Sequence, residues 1–292
     1  MNVELRHLRA LAAIGDEGTI TGAAATLHVT QSALSRTLEQ LESRIGTRLV
    51  ERTTRRLVLT DAGGRLWERA HGLLNQLDEA LAEASDGPRP LRVGFAWATL
   101  GSLTVPLLRS WRDEHPDTPV RVHRCDDPEL ALRRAEVDVA FLRTSPQAWP
   151  QFHAEPLFEE PRVAAVSEED PLSRAPSLRL DDLADRTVAL CATAATTNES
   201  LWPVNRRPQT AEVANVDEWL TLIATGDAVG VTADGTRHSH LYPGVRYLPI
   251  SDAAPITVHL VRPRIQTHPE ADTFLEFVQR AVGASDRSEA VG

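Results

Sequence analysis

A chain of 292 residues with 31 Lys+Arg against 41 Asp+Glu and a formal net charge of −10 is long enough for about two domains with sizeable cores. Its sign excludes a protein that coats nucleic acid over its whole surface. Two Cys do not make a disulfide framework, and neither a leader-like segment nor an apolar run long enough to cross a bilayer is visible, so a bacterial cytoplasmic protein with no membrane partner is expected.

The positive charge is local. Residues 1–60 hold eight Arg against six Asp or Glu, and Arg44, Arg48, Arg52, Arg55 and Arg56 have only Glu51 among them. Leu5, Leu8, Leu11, Ala12 and Ile14 mark one face of a first helix. Thr19 or Thr21 caps a second, whose Ala23–Ala25 let another helix approach closely. His28 and Val29 interrupt it. Thr30 then caps a third helix with Leu34, Leu38, Leu41 and Ile45 on a core face and Gln31, Ser32, Ser35 and Arg36 on a polar one. Gly46 ends that periodicity, and Leu49–Thr60 reads as two β-prone runs around a basic turn, a wing. Taken alone, residues 19–36 fit an ordinary capped helix pair as well as a DNA-reading one. The preceding helix and the wing favour the second reading: Thr30, Gln31, Ser32, Ser35 and Arg36 in a major groove, with Arg52, Arg55 and Arg56 on phosphates.

This stretch resembles the winged helix-turn-helix of the LysR-type transcriptional regulators. The residues that carry the likeness are Leu5-Arg6-His7-Leu8, Ala23-Ala24 with Leu27, Thr30 to Arg36, Leu41-Glu42, Gly46 to Leu49, Glu51-Arg52 and Leu59 to Gly63. It implies an α/β multidomain chain in three parts. Residues 1–60 are a winged helix-turn-helix, 61–86 a long linker helix, and 87–292 a two-lobed, periplasmic-binding-protein-like effector domain. Lobe I covers about 91–162 plus 267–283, and lobe II about 163–266. The function implied is sequence-specific regulation of transcription on a pseudo-palindromic double-stranded DNA site by a homodimer, extended to a homotetramer when effector domains also pair.

From Thr60 to Ala84 the residues Leu66, Ala70, Leu73, Leu77, Ala80 and Ala84 recur at coiled-coil spacing over about 36 Å of helix. Leu66, Ala70, Leu73 and Leu77 are therefore expected at a dimer seam, the alternative being packing on the chain's own domain. Ser85 to Pro90 breaks the helix.

The remainder alternates strands and helices. Strands are expected at Leu91–Ala96, Val120–His123, Val137–Leu142, Val163–Val166, Thr187–Leu190, Val229–Thr232 and Ile256–Val261. Helices are expected at 103–114, 128–134, 216–225 and 268–282, with lobe crossings near Pro156–Arg162 and Arg262–Thr267. Ligands in such a fold sit at carboxyl ends of strands, which selects Trp97, Ala98, Thr99, Asp127 and Arg143 on one side and Cys191, Thr193, Thr196 and Thr232 on the other. Hydroxyls and one Arg suit a small carboxylate as effector, and Trp97 an apolar wall; Asp127 either pairs with Arg143 or meets an amine. No cofactor or metal is expected. No Gly-x-Ser-x-Gly or metal-spaced His cluster supports an enzyme, and the first sixty residues argue against a stand-alone binding protein. Peroxide-sensing members of the resembling family carry paired cysteines in the second lobe; Cys191 lacks a companion, so Cys125 and Cys191 read as incidental buried thiols.

Overall fold

The computed structural model describes residues 3–52, 57–86, 89–98, 100–144, 151–191, 193 and 196–289. They form two compact units, Met1–Arg89 with Leu130–Glu136, and Pro90–Glu129 with Val137–Gly292.

The first unit opens with α1 (Leu5–Glu17), α2 (Ile20–Thr26) and α3 (Gln31–Ile45). Ala10, Leu11, Ile14, Ala23, Ala24, Leu34, Leu38 and Leu41 make their shared core. The polar residue His7, not Leu5, faces inward: His7 is fully buried, its Nδ1 accepting from the Glu4 amide with Arg44 beside it, while Leu5 is exposed. Thr19 caps α2 through the Gly22 amide, Thr30 caps α3 through Ala33, and Gly46 ends α3 in the left-handed region. The wing pairs β1 (Val50–Arg52) with β2 (Leu57–Leu59), Val50 opposite Leu59. It is fastened to α3 by Glu42, whose Oε1 accepts from the Leu49 and Val50 amides at 2.7 and 3.2 Å.

Thr60 caps α4 (Asp61–Asp86), its Oγ1 accepting from the Gly63 amide at 3.0 Å. Gly63 touches the wing so closely that a Cβ there would stand 1.9 Å from the Leu49 carbonyl oxygen. Leu66 packs on the helix-turn-helix core and Ala70 is fully buried within this single chain, whereas Leu73 is exposed and Leu77 half-buried. The seam expected at Leu66, Ala70, Leu73 and Leu77 is thus shortened. Its first two residues are committed to the chain's own unit.

In the second unit, β3 (Leu91–Phe95), β4 (Val120–Arg124) and β5 (Val139–Leu142) run parallel, with α5 (Thr104–Glu114) after β3; α6 (Pro128–Arg133) follows β4 in the chain, and from Leu130 on its residues belong to the first unit. β6 (Phe152–Glu160) and β12 (Ile256–Pro263) complete a sheet of order β4-β3-β5-β12-β6. α9 (Ala271–Glu289) contributes Phe274, Phe277 and Val278 to its core with Trp111. The second lobe has β7 (Arg162–Ser167) between β10 (Gly230–Ala233) and β11 (Val245–Pro249), and β8 (Thr187–Cys191) beside β9 (Gln209–Val213); α7 (Val216–Ala224) and α8 (Gly235–Ser239) complete it.

Two expectations change here. β6 continues through Pro156, which the sequence places at a crossing. The strand tolerates it because β6 is an edge and its partner β12 shifts register between Val258 and His259, where His259 meets Pro156. β12 pairs with β5 and β6, so it belongs to the first lobe's sheet. The second crossing therefore precedes Ile256 and does not lie at Arg262–Thr267, and the second lobe, which still includes Ile250 to Ala253, ends just before Ile256 rather than at 266. Asp138, buried at the start of β5, is balanced by a bidentate Arg92, its Oδ2 also accepting from the Arg92 amide.

Candidate functional sites: the third helix and the interlobe cleft

Thr30, Gln31, Ser32 and Arg36 are exposed on the opening turns of α3 and Ser35 is half-buried, opposite the buried Leu34, Leu38 and Leu41. Two of these hydroxyls also work locally: Thr30 Oγ1 accepts from the Ala33 amide and lies 3.2 Å from Ser32 Oγ. Gln31 and Arg36 are the long exposed side chains on this face. Arg55 and Arg56, and the side chain of Arg52, lie outside the described residues. The backbone of Arg52 ends β1.

In the second unit a cavity of about 350 Å³ opens between the lobes. Its first-lobe wall is Ala96, Trp97, Ala98, Asp126, Asp127, Pro128, Glu129, Phe141, Leu142, Arg143 and Thr144; its second-lobe wall is Thr193, Thr196, Thr232, Ala233 and Thr236. All of these follow or end strands, as the topology requires. Thr99 lies outside the described residues. Cys191 stands behind the wall: it is buried in the second-lobe core, its Sγ 3.2 Å from Thr193 Oγ1.

Arg143 does not stand as an isolated cation. Its Nε donates to Glu160 Oε2 at 2.7 Å, its Nη2 to Glu160 Oε1 at 3.4 Å, and its Nη1 to the Ala98 carbonyl at 2.6 Å. Glu160, 5% exposed at the end of β6, also accepts from the Gly235 amide at 2.6 Å. The pair thereby ties β5, the loop after β3, the crossing and the start of α8. Gly235 is dictated by this closeness, since a Cβ there would lie 2.3 Å from Glu160 Oε1. Arg162 sits just past the same crossing, its Nη1 donating to the Thr196 carbonyl and its Nε to that of Ala254; burial lowers its pKa.

Trp97 is a first-lobe residue buried in the second lobe's core. Its ring stands edge-on to Trp219 with centroids 5.2 Å apart, its Nε1 donates to Thr193 Oγ1 at 3.0 Å, and its carbonyl accepts from His240 Nε2 at 2.9 Å. It closes one end of the cleft more than it offers a free stacking face. Thr236, Glu160 and Asp126 were missed from sequence. Thr236 lies on α8, which is too short for a periodic signal, and Glu160 sits in the strand that Pro156 disguised. Thr232 and Thr236 are both buried, with hydroxyl oxygens 2.8 Å apart.

A winged helix-turn-helix unit carried on one chain with a two-lobed binding unit defines a one-component transcriptional regulator. The description "Bacterial regulatory helix-turn-helix protein, lysR family" matches residues 5–64, and "LysR substrate binding domain" matches residues 85–283. The chain is 31% identical to the transcriptional regulator CatR of Pseudomonas putida over 80% of each protein. It is 30% identical to the uncharacterised regulator YnfL of Escherichia coli over 63% of this chain and 64% of that one. Among solved structures, the LysR family regulator CbnR superposes with a TM-score of 0.66 at 20% identity, covering 96% of this chain and 99% of the other. The chain belongs to the LysR family and is a DNA-binding transcriptional regulator, not an enzyme. Among the described residues, no helix is long and apolar enough to cross a membrane.

Proposed function

We propose that this regulator binds a pseudo-palindromic promoter site in the bacterial cytoplasm as a dimer or tetramer, and that a small molecule held between its lobes alters how the subunits sit on DNA. The observation that carries the effector reading is the cavity of about 350 Å³ walled by both lobes, at the low end of the volumes small-ligand sites occupy. Its two walls are joined by the Arg143–Glu160–Gly235 chain and by Trp97, so a ligand there meets groups whose arrangement depends on the lobes' positions. Such a ligand acts only through its preference for one arrangement over another, and a coupling of about 1–3 kcal/mol is enough to switch promoter occupancy.

Dimerisation is supported by α4, which leaves Leu73 and Leu81 exposed. A symmetric dimer requires a two-fold related DNA site. The test is footprinting of the purified protein on the intergenic DNA beside its own gene. Protection of two half-sites about one helical turn or a multiple apart supports the reading; binding no tighter than to random DNA of equal length contradicts it.

A further inference from the structure

The chain leaves the first unit at Arg89 and returns to it for Leu130–Glu136. Ala131, Leu132 and Ala135 of this returning segment are buried. Ala135, just past α6, has φ 53°, a left-handed conformation that a residue with a Cβ adopts at a cost, and the Glu136 amide donates back to the Ala131 carbonyl. The Arg134 carbonyl in this turn accepts from Asn75 Nδ2 of α4 at 2.6 Å. Arg133 adds an ion pair to Glu68 of the same helix at 3.1 Å.

The Arg134 side chain joins α1 to α4. Its guanidinium carbon lies 4.1 Å from the centroid of the Trp67 ring, its Nη2 donates to Asp16 Oδ1 at 3.2 Å, and its Nη1 lies 3.5 Å from Glu136 within the segment itself. The same Asp16 oxygen accepts from Trp67 Nε1 at 3.1 Å and lies 3.1 Å from His71 Nε2, so groups of α4 and of the returning segment converge on one carboxylate in the last turn of α1. The two helices approach this closely because residue 15 is glycine: a Cβ there would stand 2.4 Å from Trp67 Nε1. Trp67, His71 and Asn75 recur every four residues and share one side of α4. Leu73 is two residues from His71 and from Asn75, which places it about 200° round the helix. The returning segment thus grips one side of α4 and leaves the exposed Leu73 to a partner chain.

An ion pair whose carboxylate is 36% exposed adds little to stability, but several groups fixed on one acceptor restrict the angle between the elements that carry them. In a dimer joined through α4, a step that rests on the two-fold reading above, the separation of the two α3 helices depends on how α1 lies on α4 in each subunit. We propose that Arg134 is a positioning residue for DNA recognition: seated on Asp16 and Trp67, it locks α1 on α4 and thereby sets the half-site spacing that the dimer accepts. One added base pair shifts a half-site by about 3.4 Å and turns it by about 35°. Locked recognition helices cannot follow that displacement, whereas loosened ones can.

The test uses the full-length protein and the promoter site found by footprinting, in duplexes with one or two base pairs added or removed between the half-sites. The wild type is expected to bind about tenfold or more weakly for a change of one base pair. Arg134→Gln should bind the native spacing within about threefold of wild type, with its penalty for one base pair reduced to about threefold or less. Asp16→Asn, which weakens the same contact from α1, should flatten the profile likewise, and it decides the matter if melting followed by circular dichroism shows that Arg134→Gln does not fold. Variants that keep the wild-type spacing profile, or that lose affinity equally at every spacing, would overturn the positioning role while leaving the two-fold reading intact. A wild type indifferent to spacing would overturn the two-fold reading and this role with it.

Discussion

The Glu42 carboxylate, on the last turn of α3, accepts the Leu49 amide at 2.7 Å and so fixes where the wing starts relative to that helix. Leu49 and Val50 are 1% and 6% exposed, so their amides have little water to turn to when the carboxylate is removed. Glu42→Ala is expected to destabilise the first unit by about 1–3 kcal/mol, the range for buried donors left without acceptors. Glu42→Gln, which keeps an acceptor oxygen, should lose less. Urea denaturation of both variants checks this; equal stability of Glu42→Ala and wild type would remove Glu42 from the role.

Arg36 and Arg55 are expected to fail in different ways. Arg36 is exposed on the polar face of α3, so Arg36→Ala should cost about 1–3 kcal/mol on the cognate site and relax base preference. Arg55, placed by sequence in the wing's basic turn, should hold phosphate; its replacement should weaken all sequences alike and lower the salt slope by about one. Titrations against cognate and scrambled DNA at several salt concentrations separate the two. Equal loss on both DNAs for Arg36→Ala would reassign it to the backbone.

The first unit was nearly all legible because its signals are local: caps at Thr19, Thr30 and Thr60, a glycine stop at Gly46, and leucines at helical spacing. What sequence did not show was set by partners distant along the chain. Nothing near His7 says that Arg44 and Glu4 will receive it in the core, and periodicity alone put Leu5 there instead. Arg143 was placed correctly at the end of β5, but its chemistry depends on Glu160, seventeen residues on in a strand hidden by Pro156. Leu66 and Ala70 fit a coiled-coil seam by spacing, yet a core that can accept the same spacing covers them first.

That last point sharpens the assembly prediction. Leu73 is 52% exposed and Leu77 half-buried, so charge there should meet a partner chain without unsettling the core. Leu73→Glu with Leu77→Glu is expected to yield monomers at about micromolar concentration and to abolish tight promoter binding, while α4 stays helical. Sedimentation velocity and circular dichroism together decide it. A variant that remains dimeric places the dimer contact elsewhere.

His259 gives a pH dependence with a definite sign. Burial lowers its pKa below 6.5, outweighing a backbone hydrogen bond with Thr257 that raises it, and its Nδ1 has no hydrogen-bond partner among the described residues. A histidine whose folded pKa is depressed contributes its stability above the unfolded pKa and loses it as pH falls. The second unit should therefore melt at lower temperature as pH drops from about 7 towards 5. His259→Gln should flatten part of that slope. An unchanged slope would leave the pH response to other groups.

Trp97 is the residue for which stability and response should fail together. It leaves the first lobe at the end of β3 yet is 7% exposed, packed in the core of Trp219, Val216 and Ala189, with its indole N–H given to Thr193. Trp97→Ala removes a large ring from a close-packed site and leaves Thr193 Oγ1 with its Cys191 contact alone; a loss of about 3–5 kcal/mol is expected from the second unit. Trp97→Phe keeps most of the ring but lacks the N–H, and should lose about 1 kcal/mol, the usual net value of one hydrogen bond. The informative comparison is ligand response. Because the same bond joins the two walls of the cleft, Trp97→Phe should still bind a cleft ligand but transmit less of its effect to DNA, measured as a smaller ratio of promoter affinities with and without ligand. A phenylalanine variant that keeps the full ratio would show that the Trp97–Thr193 bond holds the lobes without carrying the signal.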